Sequence, residues 1–269
     1  MKERELIQLL LSLFPGIDLL GLGFELEGFS VVRSPDLIFG RDIRDFSVPA
    51  GRFDGVIGGA PCQEFSRGRN GRLPTGYGLE MLREFGRLVM EAQPKWFLLE
   101  NVERVPDLKI GGYNWQRLDV WAHEFGLTQR RLRHFQFGSR EGKVLVMARG
   151  GKGGTTAVVT ASDSDTPWDK FCIEQGLPPD FDLPSFTQSA KRRAVGNGVP
   201  VPMARAMAKA VIRMVPEGSV NLCGCKCGRP VSGKKSYARG ACRMRMSRRR
   251  HSAGLKSHGQ VTIGAFSDV

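Results

Sequence analysis

The feature that most constrains the fold is a rhythm of short apolar runs and turns. Residues 9–14, 29–33, 53–58 and 96–99 are apolar runs that stop at Pro15-Gly16, Ser34-Pro35, Gly59-Ala60-Pro61 and Glu100-Asn101. Runs of this length bounded by turn residues fit buried strands. Residues 19–27 and 78–91 between them read as helices, the second with Leu79, Leu82, Phe85, Leu88 and Val89 on one face. Residues 135–137 read as a further strand, and 203–215 as a helix opened by Pro200 and Pro202. Strand and helix in alternation predict an α/β fold built on an open sheet. In such sheets ligands bind beyond the carboxyl ends of the strands. Gly16, Pro61-Cys62 and Glu100-Asn101 fall at those ends.

Charge narrows the partner. The 269 residues carry a net charge of +13, and residues 220–269 hold eleven Lys or Arg against one acid, Asp268. A basic surplus gathered in one tail points to nucleic acid before membrane. No apolar run is long enough to span a bilayer, and the first residues lack the pattern of a signal peptide. Two isolated cysteines, Cys62 and Cys172, and a tail group, Cys223, Cys225, Cys227 and Cys242, do not form a disulfide framework, so a reducing cytoplasm is expected. The composition shifts at Pro216-Glu217-Gly218, which marks a boundary. Residues 67–78 and 149–156, rich in glycine, are expected to be mobile loops.

Taken singly, the polar stretches are ambiguous. A free cysteine is most often a small core residue, yet Cys62 follows Pro61 and precedes a loop with Arg67, Arg69 and Arg72, the electropositive, partly exposed setting that a reactive thiolate needs. Glu100-Asn101 could simply cap a helix, and Gln129 to Arg133 could be a solvated basic turn. The small residues around Asn197 suit close approach of backbone to a ligand, or a plain turn before the last helix.

Together they are specific. Phe14-Pro15-Gly16, Pro61-Cys62-Gln63 with Phe65-Ser66, Glu100-Asn101-Val102, Gln129-x-Arg131-x-Arg133 and Gly196-Asn197 with Val199-Pro200 occur in the order found in cytosine-5 DNA methyltransferases, and the chain resembles that family over roughly residues 9–215. The resemblance implies a Rossmann-like sheet that uses S-adenosylmethionine, with helices on both faces. It implies Cys62 as the nucleophile that adds to carbon 6 of cytosine, and a protonated Glu100 that meets charge at ring nitrogen N3. Asn101 would orient the site, while Arg131 and Arg133 would hold the base carbonyl and a phosphate and keep Cys62 anionic. The donor would lie against Phe14, Gly16, Ile17, Asp36, Asp42, Ile43, Pro61 and Asn197. Ser66, Arg67 and Arg69 would touch double-stranded DNA whose target base is flipped out of the stack.

The chain also departs from the family pattern. Asp18 and Leu19 stand where further glycine is usual. The interval of about 141–188 leaves room for only a minimal target-recognition region, with 168–186 as its support. The expected organisation is a catalytic unit at 1–219, a basic Cys-rich tail at 220–251 and a disordered end at 252–269. Four tail cysteines can bind one Zn2+ and fold a segment too small to fold alone, although Cys-x-Cys-x-Cys is not the usual ligand spacing; a reduced basic tail that binds phosphate is the alternative. A cytoplasmic monomer of bacterial or phage type, with or without a cognate restriction nuclease, is expected. Three other readings stay open: an RNA cytosine-5 methyltransferase, a decayed DNA-binding protein, and a dinucleotide oxidoreductase, which the missing Gly-x-Gly-x-x-Gly disfavours.

Overall fold

A computed structural model describes residues 8–66, 75–151, 153–225, 227–240, 242–244, 246–247 and 260–263. Its centre is a six-stranded sheet in the order β2-β1-β3-β4-β7-β6. Here β1 is Leu9–Leu13, β2 Ser30–Arg33, β3 Gly55–Gly58, β4 Trp96–Asn101, β6 Gln116–Trp121 and β7 Leu132–Ser139. The first four run parallel. β7 runs antiparallel to both β4 and β6, so the sheet is mixed.

Successive strand residues face opposite sides, and two cores follow from that alternation. On one face Leu10, Ile57 and Leu98 pack with Phe24 of α1 (Leu19–Glu25) and with Met203, Met207 and Val211 of α5 (Val201–Ile212). On the other, Leu11, Val56, Phe97 and Leu99 meet Met81, Leu82, Phe85 and Val89 of α2 (Tyr77–Ala92). The expected open sheet with helices on both faces is therefore present. α1 and α5 lie very close: a Cβ on Gly23 would sit 2.3 Å from the Ala204 Cβ.

The interval 141–188 holds little regular structure. It contains β8 (Lys143–Val144), which pairs with β9 (Val215–Pro216), and α3 (Trp168–Glu174). Val159, Phe171, Cys172 and Leu177 pack against Leu19, Val195 and Val201. This segment thus props the start of α1 and the region of α4 (Gln188–Asn197). The loop expected to be mobile at 149–156 is tied down instead: Thr155 N and Thr156 N donate to Thr128 O, and Arg130 N donates to Thr156 O at 3.2 Å.

The tail folds back onto the sheet. Residues 221–231 make a narrow hairpin through Cys223 N to Arg229 O and Val231 N to Asn221 O. Met147 N donates to Gly228 O at 2.8 Å, and both Arg149 and Arg229 pair with Glu124. Disorder was expected throughout 252–269. Residues 260–263 depart from it, because Gln260–Ile263 forms β10 in parallel with β5 (Asp107–Ile110) and Ile263 covers Gly86 of α2. The rest of that expectation lies outside the described residues.

Candidate active site

The turn after β1 is strained. Phe14 and Asp18 both adopt left-handed φ values of 54°, and Gly16 lies between them at 53°. Such backbone is costly for a side chain as large as Phe and persists where surrounding structure enforces it, often at ligand sites. Asp18 replaces the expected glycine by making its side chain useful: Oδ1 accepts from Gly21 N and from Ser12 Oγ, each at 2.9 Å, so it caps α1. Gly16 N donates to Asp36 Oδ2 at 2.9 Å, and Ile38 N donates to Asp36 Oδ1. Two amides thus fix Asp36 while lone pairs remain for further hydroxyls.

This turn borders a cavity of about 380 Å³ whose walls include Phe14, Gly16, Ile17, Asp36 and Asn197. A second cavity of about 250 Å³ is lined by Asp42, Ile43, Pro61, Cys62 and Arg133. Phe14, Gly16, Asp36, Gly59, Glu100 and Asn197 line both, so the two share a wall. All eight residues expected to hold the donor therefore border one or the other of these two adjoining cavities. Asp42 is engaged there by Arg44, whose guanidinium and backbone amide hold its carboxyl down to about 2.

Cys62 is half-buried at the end of the β3 loop. The Asn101 amide donates to Ala60 O at 3.0 Å and fixes the backbone just before Pro61. Phe65 N and Ser66 N both bond Cys62 O at 3.0 Å, which closes a turn around the cysteine. Ser66 is half-buried in that turn. Arg67 and Arg69 lie outside the described residues.

Glu100 is the penultimate residue of β4 and is 8% exposed. Arg133 Nε meets its Oε1 at 2.9 Å. Burial raises the Glu100 carboxyl above its usual value although Arg133 and Arg131 pull it down, which favours the neutral acid expected for a proton donor. The expectation that the two arginines keep Cys62 anionic is not met. Burial and the Glu100 charge raise the thiol above its usual value and outweigh both guanidinium groups.

Arg131 is placed differently from its expected role. It is 1% exposed, and its guanidinium donates to Val159 O, Gly196 O and Gly198 O at 2.9, 2.7 and 3.0 Å. It ties the Asn197 turn to the sheet, whereas Arg133 lines the cavity. The sequence reading missed Gln175, fully buried, whose amide donates to Val195 O at 2.5 Å and braces the same turn. Its only sequence signal is a polar residue after an amphipathic stretch.

In the tail, the sulfurs of Cys223, Cys225, Cys227 and Cys242 all lie within 4.8 Å of one another and are buried. Ala238 N donates to Cys223 Sγ at 3.2 Å. Four thiolates around one zinc, each about 2.3 Å from it, would stand roughly 4 Å apart, so the cluster fits a tetrahedral metal site.

The family model for C-5 cytosine-specific DNA methylases matches residues 37–166. Type II methyltransferase M.FnuDI of Fusobacterium nucleatum is 32% identical over 161 residues, 49% of this chain and 47% of that protein. Type II methyltransferase M.HgiDI of Herpetosiphon aurantiacus is 29% identical over 169 residues, 51% of this chain and 54% of that protein. The chain thus spans about half the length of these relatives. Among solved structures, the Entamoeba histolytica methyltransferase EhMeth superposes with a TM-score of 0.59 at 10% identity, over 78% of this chain and 99% of that one. Spodoptera frugiperda DNMT2 gives 0.53 at 13% identity, over 76% and 99%. These structural likenesses concern the fold.

Proposed function

We propose that the chain is a C-5 cytosine-specific DNA methylase, the family whose model matches residues 37–166, and that it methylates carbon 5 of cytosine in double-stranded DNA with S-adenosylmethionine as donor. One observation carries the reading: Cys62, Glu100 and Arg133 face a cavity that shares its wall with the hollow formed by the strained β1 turn. The hollow suits the donor, because a residue-free space lies beside Gly16 where a Cβ would point and the fixed Asp36 carboxylate can accept from ribose hydroxyls. When bound, the donor supplies the methyl group that carbon 5 takes up.

The chain's own residues do the rest. The Cys62 thiolate forms a bond to carbon 6 of a flipped cytosine. Glu100 gives a proton to N3, so the electron pair pushed into the ring is not stranded as charge. Protonating Glu100 beforehand also removes the negative neighbour that holds the thiol up, so the same proton serves both groups. Once carbon 5 is methylated, its proton leaves to water, the sulfur–carbon bond breaks, the thiolate departs and N3 returns its proton to Glu100. Asn101 keeps the Cys62 loop in place through Ala60 O. DNA rather than RNA is favoured as acceptor by the family description and by the Type II relatives.

We propose further that residues 1–219 are the catalytic unit and that the tail at 220–251 contacts DNA around one zinc ion held by Cys223, Cys225, Cys227 and Cys242. With so little structure in 141–188, the exposed Lys234, Lys235, Arg239 and Arg243 of the tail are the best-placed groups to supplement recognition. The test is methyl transfer to duplex DNA by the wild type and Cys62→Ala. The variant is expected to lose transfer by about 10³-fold or more, together with the covalent adduct that a 5-fluorocytosine duplex traps. Full activity in Cys62→Ala would refute the assignment.

A further inference from the structure

We propose that Arg193 is the anchor for the carboxylate of the donor's amino-acid end, an inference that rests on the S-adenosylmethionine reading above. Arg193 borders the larger cavity and is its only cationic wall residue among the described residues. Ala190, Ala194 and Asn197 border the same cavity from α4, and with Arg193 they follow a helical spacing of three and four residues, so one face of α4 forms that wall.

Its neighbours in sequence show that this placement is selective. Lys191 is buried and pairs with Asp182. Arg192 donates to Asp163 O and Thr166 O, each at 2.8 Å, and lies over the Phe171 ring. Both are used up in the scaffold. Arg193 makes no hydrogen bond or ion pair with any carboxylate among the described residues, although Asp18, Asp36 and Glu100 line the same cavity. Each of those acids already has partners: Asp18 has Ser12, Gly21 and Arg33, Asp36 has two amides, and Glu100 has Arg133.

Position along the hollow then assigns the ligand group. Asp42 and Ile43, the expected adenine contacts, border only the smaller cavity, and Asp36 borders both. Arg193 borders only the larger one, beside Ile17, Leu19 and Gly198. It therefore lies at the end opposite the adenine, with the ribose site between. The group of the donor at that end is an α-amino acid, and its carboxylate is the donor's one anionic group. A planar guanidinium matches a carboxylate in a two-pronged contact.

The experiment is calorimetric titration of the full chain, without DNA, with three ligands: S-adenosylhomocysteine, its decarboxylated analogue, and 5′-methylthioadenosine, which lacks the whole amino-acid end. Arg193→Gln is expected to bind S-adenosylhomocysteine about tenfold more weakly, while its affinity for 5′-methylthioadenosine stays at the wild-type value and Arg193→Lys falls between. Equal affinity of wild type and Arg193→Gln for S-adenosylhomocysteine would overturn the proposal. If the substitution also abolishes 5′-methylthioadenosine binding, the fold of the pocket has been lost. The wild type then decides, since it must prefer S-adenosylhomocysteine to the decarboxylated analogue about tenfold, and equal affinity overturns the proposal. Failure of the wild type to bind any of the three would instead defeat the donor reading itself, and this inference with it.

Discussion

Glu100 and Cys62 line the same cavity, and the Glu100 charge pushes the proton equilibrium of the thiol. The carboxylate charge raises the thiol, so removing that charge lowers it. Glu100→Gln is therefore expected to shift the pH profile of Cys62 alkylation to lower pH than in the wild type, even as methyl transfer falls by about 10²-fold or more through loss of the proton donor. Iodoacetamide labelling of the free protein across pH 7–10 checks the first part. A profile that did not move would mean that the carboxyl is already neutral in the resting site. Arg131 calls for a different test, because its three carbonyl partners make it a brace. Arg131→Met strands those buried carbonyls and is expected to cost about 3 kcal/mol of stability, and to weaken S-adenosylhomocysteine binding as the Asn197 turn loosens. Thermal melting and titration read the two effects separately.

Among the elements, the tightest meeting is α1 against α5. Replacing glycine by alanine inside a helix ordinarily gains about 1 kcal/mol. At Gly23 the new methyl would collide with Ala204 and with backbone of α5, and overpacking of this kind costs about 1–3 kcal/mol or more. The clash wins, so Gly23→Ala is expected to lower Tm by several degrees, measurable by calorimetry. How far the elements could be read in the sequence depended on whether their signals are local. The parallel strands and the two large helices announce themselves by apolar runs, turn residues and one-sided spacing. The chemistry at their ends was legible for the same reason, since Gly16, Cys62, Glu100 and Asn101 each follow a strand that the sequence marks. β5 and β10 were not, because they pair across about 150 residues and neither has a local signature. Arg131 and Arg133 stand two apart and look equivalent in sequence; only the course of the 196–198 backbone sends one behind the turn and leaves the other in the cavity.

For the whole molecule, the Cys-rich hairpin is part of the body rather than a trailing tail. Glu124 receives Arg149 from the sheet side and Arg229 from the hairpin, and Gly228 lies against Met147 and Leu118. If zinc holds the four sulfurs, the metal fastens this contact. A strong chelator is then expected to remove one zinc per chain, counted by elemental analysis, and to lower Tm, with Cys225→Ser melting like the stripped protein. A melt indifferent to chelation, in protein without bound metal, would return the cluster to four reduced thiols.

That Glu100 and Asn197 border both cavities has a consequence for turnover. Under the proposed reaction, donor and base touch common side chains, and by reciprocity any tightening that donor binding confers on the flipped base is conferred by the base on the donor to the same degree. Spent donor should consequently leave slowly while the modified base still occupies the neighbouring chamber, and departure of one product should hasten that of the other.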